Sequence, residues 1–222
     1  MFIEYTFNLD DGRVLFFHVD FERPRERNLP ITEYPEWTRL RFHQCINCPL
    51  SCEEFSHCPV AIDAHEIVAG FSEVISCRAA EIVVRTPDRE YRKQADVQTG
   101  LRALIGFVMA SGACPILSTM RGMAYFHQPF ASLDETVFRI ASSYLLGQYY
   151  RYRHGGKPDL DLVGLKGRFR EIQTVNSSFL ERIRAGCSGD SNLNVLSVLF
   201  SISSMVSLSL ETHLDNIENM FD

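Results

Sequence analysis

Apolar and polar positions alternate from the start of the chain. Ile3, Tyr5, Phe7 and Leu9 take every second place, and Leu15, Phe17, Val19 and Phe21 repeat the pattern after Asp10-Asp11-Gly12. A period of two predicts half-buried strands, and the short Asp-Gly connection predicts that they form a hairpin. Residues 22–35 are charged and hold three prolines, which predicts a loop. Thr38, Leu40 and Phe42 alternate once more and lead into a cysteine-rich segment. Residues 80–86 and 90–96, parted by Pro87-Asp88, predict a second hairpin.

Elsewhere the spacing is helical. Val60, Ala64, Ile67, Val68, Phe71 and Val74 share one face, with Pro59 placed to open the helix. Leu101, Leu104, Ile105 and Val108 mark a second helix. Ser132-Leu133-Asp134-Glu135 is a capping box, so a third helix runs from there to about Arg153, where Gly155-Gly156 stops it. Leu165, Phe169, Ile172, Val175, Phe179 and Ile183 mark a fourth, and a last one starts near Ser191. An α+β fold follows: N-terminal antiparallel hairpins with a Cys-rich loop, then a C-terminal helical bundle. The β-rich part covers 1–95 with its cysteine loop at 45–58, the bundle covers 96–222, and the two are expected to form one compact unit.

Composition adds limits. Apolar residues make up 45% of the 222 and charged residues 23%, enough to bury a core without a metal's help in folding. The net charge of -6 argues against general nucleic-acid binding, which rests on cations set against phosphates. The N-terminus lacks the basic and apolar regions of a secretory signal. The charge-free run 193–210 approaches membrane-span length, but Ser197, Ser201 and Ser204 stripe it at helical spacing. A buried helix is the expectation there, with no membrane insertion and a cytoplasmic location.

In a reducing cytoplasm clustered thiols bind metal or do redox work more often than they form disulfides. Four of the 7 cysteines, Cys45, Cys48, Cys52 and Cys58, follow a C-x2-C-x3-C-x5-C spacing. A C-x2-C turn folds both thiols toward one centre, and close thiolates need a cation between them. Structural zinc usually takes two knuckles and a longer spacer, so the bunched run and Cys58-Pro59 favour an iron–sulfur cluster, such as 4Fe-4S, with zinc as the alternative. His43 and His57 lie beside these cysteines and could replace one as a ligand, though surface histidines are the expected reading.

A second group sits in the long connection near 112–131. Cys114, Arg121 and His127 offer a thiol nucleophile, an anion clamp and a base. This loop is expected either to pack as a structural loop or to fold over the cysteine cluster, where Cys114 adds a ligand or a shield. Cys77 and Cys187 read as packing residues, and the cations of 149–154 as partners of a helix C-terminus.

The segments Cys45-Ile-Asn-Cys-Pro-Leu, Ala113-Cys-Pro, His127-Gln-Pro-Phe, Glu135-Thr-Val-Phe-Arg and Tyr144-Leu-Leu-Gly-Gln-Tyr together resemble a bacterial family of unassigned function. The resemblance implies a bacterial cytoplasmic protein and transfers no role to any residue. Three functions follow from the residues: a redox or regulatory iron–sulfur protein with a protein redox partner, a zinc-stabilised adaptor, or an enzyme that uses Cys114 and His127.

Overall fold

A computed structural model describes residues 1–23, 34–187, 194, 210 and 212–221. The two hairpins form as the alternation predicts: β1 (Phe2–Leu9) with β2 (Val14–Asp20), and β3 (Ala79–Arg85) with β4 (Glu90–Asp96). They do not stay separate. β1 pairs antiparallel with β3, which joins them in one four-stranded sheet of order β2-β1-β3-β4. The pairing sets Tyr5 between Phe17 and Val84, and Phe7 between Leu15 and Ile82. Gly12 at the first turn has φ +86, a conformation that glycine adopts without a side-chain clash.

One face of the sheet carries the core. Ile3, Tyr5, Phe7, Ile82 and Val84 are wholly excluded from solvent, and each such side chain contributes about 1.5–3 kcal/mol. Two helices cover that face, α1 (Pro59–Gly70) and α2 (Val97–Ser111). α1 starts at Pro59, as the sequence predicts, and contributes Val60, Ile62, Ala64 and Ile67. Asp96 caps α2 by accepting from the Thr99 N–H. Gly100 then lets α2 approach the sheet closely, because a Cβ there would stand 2.5 Å from the Phe7 ring.

The long connection after α2 is not bare loop. It holds a 3-10 turn (Leu117–Met120) and the short α3 (Arg121–Tyr125). α4 (Leu133–Arg153) begins with the complete capping box of Ser132 and Glu135. Arg151 and Arg153 occupy its last turn, where cations complement the helix dipole. α5 (Val163–Gly186) packs on α4 through Val137, Ile140, Leu165 and Phe169, and joins the main core through Ile172, Val175, Phe179 and Ile183.

Two expectations need correction. The alternation at Thr38, Leu40 and Phe42 does not make a strand; the chain forms a 3-10 turn (Glu36–Thr38) and a single bridge between Arg39 and His57. The turn buries Trp37 and Thr38, and Leu40 is then drawn inward by the Leu40 N–H to Ser56 carbonyl bond. Cys77 is exposed rather than packed, because the turn before β3 points Val74 and Ser76 inward and Cys77 out. Cys187 does pack against the core. The loop expected at 22–35 lies largely outside the described residues, as does the run 193–210; Asn194, Leu210 and residues 212–215 are helical. No helix among the described residues is long and apolar enough to cross a membrane.

Candidate metal centre

The Cys-rich segment is a corner clamped between the sheet-side turn and α5. Its entry is fixed by the Cys48 N–H donating to the Cys45 carbonyl at 3.0 Å, the tight turn that a C-x2-C pair requires. Asn47 at the tip of that turn donates to the Glu171 carbonyl of α5 at 3.1 Å. Its exit is fixed by the Cys58 N–H, which donates to the Thr38 carbonyl at 2.8 Å. Between them Gln44 donates to the Leu50 carbonyl and accepts from the Cys52 thiol at 3.3 Å.

The four thiols of this segment do not all face one another. Cys45 and Cys58 are partly buried against the core, whereas Cys52 is exposed and turned to Gln44. Cys114, from the connection after α2, packs against the same core as Cys45 and Cys58. The electrostatics record this grouping. The Cys45 thiol is raised to about 12, first by burial and then by Cys58, Cys114 and Cys48, with Arg182 opposing them. Burial is also the main cause raising Cys114, with Cys58 and Cys48 adding to it. Cys58 is raised by burial and by Cys48. Cys48, Cys58 and Cys114 thus all act on Cys45, and Cys52 is not among the causes of any of these shifts.

Two of the four sit in the same local device. Cys58-Pro59-Val60-Ala61 and Cys114-Pro115-Ile116-Leu117 each start a helical turn with a cysteine followed by proline. The backbone N–H groups of Val60 and Ala61 act to lower the Cys58 thiol, and those of Ile116 and Leu117 act to lower Cys114, although the Cys58 side chain makes no cap hydrogen bond. These donors favour the thiolate, in opposition to burial. Proline suits the position because it has no N–H to leave unpaired in the first turn.

Arg182 of α5 is the charged residue closest in effect. It is 1% exposed and donates to the carbonyls of Trp37 (2.8 Å), Arg39 (2.6 Å) and Leu40 (3.1 Å). Its charge lowers both Cys45 and Cys58. It went unnoticed in the sequence, where one cation in an amphipathic helix looks solvent-facing. The repeated Cys-Pro-apolar-apolar segment was the readable sign that Cys114 belongs beside Cys58.

As they stand, no three His, Cys, Asp or Glu side chains among the described residues form a group that could hold a metal ion. The thiols are free, burial raises Cys45, Cys58 and Cys114, and the Arg182 charge lowers Cys45 and Cys58. Such thiols stay protonated alone and ionise when a cation replaces their protons.

The flanking histidines differ from expectation in one case. His43 is exposed, with a left-handed backbone (φ 45). His57 is buried: the Arg39 bridge pulls it in, Ser56 hydrogen-bonds its Nδ1 at 2.8 Å, and Nε2 has no partner. Desolvation, then the Arg39 charge, lowers its pKa.

The second sequence-predicted group is dispersed. The Arg121 guanidinium donates to the Ser111 carbonyl at 2.6 Å and to the Phe21 carbonyl at 3.1 Å, and lies 3.9 Å over the Phe21 ring. Those bonds leave it a loop anchor rather than an anion clamp. His127 is held on the sheet side, its Nε2 2.6 Å from the Tyr5 hydroxyl, and burial lowers its pKa to about 3. Nothing lowers Cys114 below the ordinary thiol range, as an activated nucleophile requires.

The fold and this corner define an α+β protein with a cysteine-lined junction between a sheet-side loop and a helical layer. The chain belongs to the family described as "Domain of unknown function (DUF6901)", whose model matches residues 3–222. No curated protein and no solved structure matches it.

Proposed function

We propose that this is a cytoplasmic metal-binding protein whose centre is an iron–sulfur cluster with a redox or regulatory role. What supports the reading is that Cys48, Cys58 and Cys114 all raise Cys45, in a segment where the buried Arg182 lowers both Cys45 and Cys58. Bound there, a cluster supplies one-electron exchange at a potential set by its charge, hydrogen bonds and exposure. The chain's own contribution is to place and tune. The Cys45–Cys48 turn presents two sulfurs, and the N–H groups of 60–61 and 116–117 stabilise charge on the other two. Arg182 offsets negative charge in a corner where water screens little. The exposed Cys52 drops out of the ligand set expected from spacing alone.

A closed set of four thiols with no other ligand type is also what structural zinc takes. That observation favours, as a second reading, a zinc-stabilised adaptor.

The test is purification without air, followed by an absorption spectrum and analysis for iron, sulfide and zinc. Brown protein with iron and sulfide supports the first reading. Colourless protein with one zinc supports the second, and protein with neither metal overturns both. Cys114→Ser is expected to lose the metal and Cys52→Ser to keep it; the reverse result would sink the revised ligand set.

A further inference from the structure

α2, α3, α4 and α5 line a half-open cavity of about 460 Å³. This volume falls within the roughly 300–1,000 Å³ usual for small-molecule sites. Its walls are apolar and adaptable: Phe107, Met109, Met120, Met123, Phe130 and Phe169 line it. Three of those six are methionines, whose unbranched side chains reshape around a guest.

The lining includes neutral polar side chains, among them Gln128, Thr136 and Asn176, while its charged groups are of one sign. Arg102 and Arg139 line the cavity, and no Asp or Glu side chain is among the described residues that do. Arg139 is partly committed, since its Nη2 donates to the Met123 and Phe126 carbonyls at 2.9 Å each and ties α3 to α4. Arg102 is half-buried and, among the described residues, has no hydrogen bond or ion pair. The Glu135 carboxylate, which accepts from the Ser132 N–H and the Gln128 amide, acts on the Arg139 charge and makes no ion pair with Arg102. His127 also lines the space, held neutral by burial and oriented by Tyr5. An uncompensated cation on an apolar cavity, in a chain of net charge -6, selects against cationic and strongly polar guests.

We propose that this cavity binds a small anionic amphiphile, with its apolar body among the methionine and phenylalanine side chains and its carboxylate or like anion on Arg102. The site is independent of the metal reading and is tested without reference to it.

The experiment is calorimetric titration of the full chain with decanoate, decanol and decyltrimethylammonium below their micelle concentrations. Decanoate is expected to bind once per chain, decanol about tenfold or more weakly, in line with loss of one charge-assisted hydrogen bond. The cationic amphiphile is expected not to bind. Arg102→Gln should bring decanoate down to the affinity of decanol. Ala103→Trp and Ala131→Trp, which place an indole in the cavity, should abolish binding, with far-UV circular dichroism checking that each is folded. Absence of decanoate binding overturns the proposal. So does equal binding of the cationic analogue, or wild-type affinity in both folded tryptophan variants.

Discussion

Replacing Arg182 by methionine probes the corner most directly, because one side chain holds both its backbone and its charge. The guanidinium is 1% exposed and bonds three carbonyls, of Trp37, Arg39 and Leu40. Methionine matches much of the length but supplies no donor, so three acceptors lose their partners. At about 1–1.5 kcal/mol for each lost hydrogen bond, the gross loss is roughly 3–5 kcal/mol. Removing a buried charge returns part of its desolvation cost, which places the net loss near 3 kcal/mol. For a chain of this size that corresponds to a fall in Tm of about 6–12 °C. The assay is urea unfolding followed by circular dichroism, on reduced, metal-free Arg182→Met and wild type, with the slope compared as well as the midpoint. Arg182→Lys, which keeps the charge but not the fork of donors, should fall between them. A loss below about 1 kcal/mol with an unchanged slope would refute the view that this residue clamps the 37–40 turn to α5. The same substitution should raise the thiol pKa of Cys45 and Cys58, read by ultraviolet thiolate absorbance, because Arg182 lowers both.

Three further outcomes follow from the packing and titration. His127 has a folded pKa of about 3, below its ordinary value, so the unfolded chain binds the extra proton between about pH 6.5 and pH 3. The stability it contributes is present above that window and falls by about 1.4 kcal/mol per pH unit on descending into it; His127→Asn should flatten the slope of unfolding midpoint against pH, and an unchanged slope would exclude His127 as its source. Gly100→Ala sets a Cβ 2.5 Å from the Phe7 ring and 2.8 Å from Ile82. Overpacking of about 1–3 kcal/mol should outweigh the helix-propensity gain of nearly 1 kcal/mol, so thermal unfolding should show a lower Tm, and a higher one would contradict the close approach of α2 to the sheet. Ser132→Ala removes the acceptor for the Glu135 N–H and should cost about 1 kcal/mol, checked by denaturant midpoint.

Much of the fold was legible because it rests on local periodicity. β1 alternates on a face that is fully buried, so its period of two survives intact. The starts of α1 and α4 were equally clear, since Pro59 and the Ser132–Glu135 box act through their own backbone neighbours. What stayed hidden depends on partners far along the chain. The β1–β3 pairing has no local marker, and the segment at Thr38–Phe42 imitates a strand while its hydrogen bonds go to Pro35, Ser56 and α5. The same holds for the centre. Spacing brought Cys45, Cys48 and Cys58 to notice, but it also promoted Cys52, whose thiol turns outward to Gln44. Cys114, which belongs to the proposed set, comes from beyond the whole β3–β4–α2 unit, a separation that spacing along the chain cannot bridge.

The twin Cys-Pro turns have a consequence for the topology of unfolding. A metal shared by Cys58 and Cys114 would act as a covalent-like tie across the stretch of chain that contains α1, β3, β4 and α2. Closing so long a loop removes many conformations from the unfolded ensemble, and the entropy removed grows with the logarithm of loop length. The tie from Cys45 to Cys48 closes almost nothing by comparison. Loss of the metal would therefore release half of the sheet and its covering helices from a constraint that no hydrogen bond in the corner reproduces. Occupancy of the centre would be felt throughout the fold, as resistance of the whole β3–α2 stretch to opening.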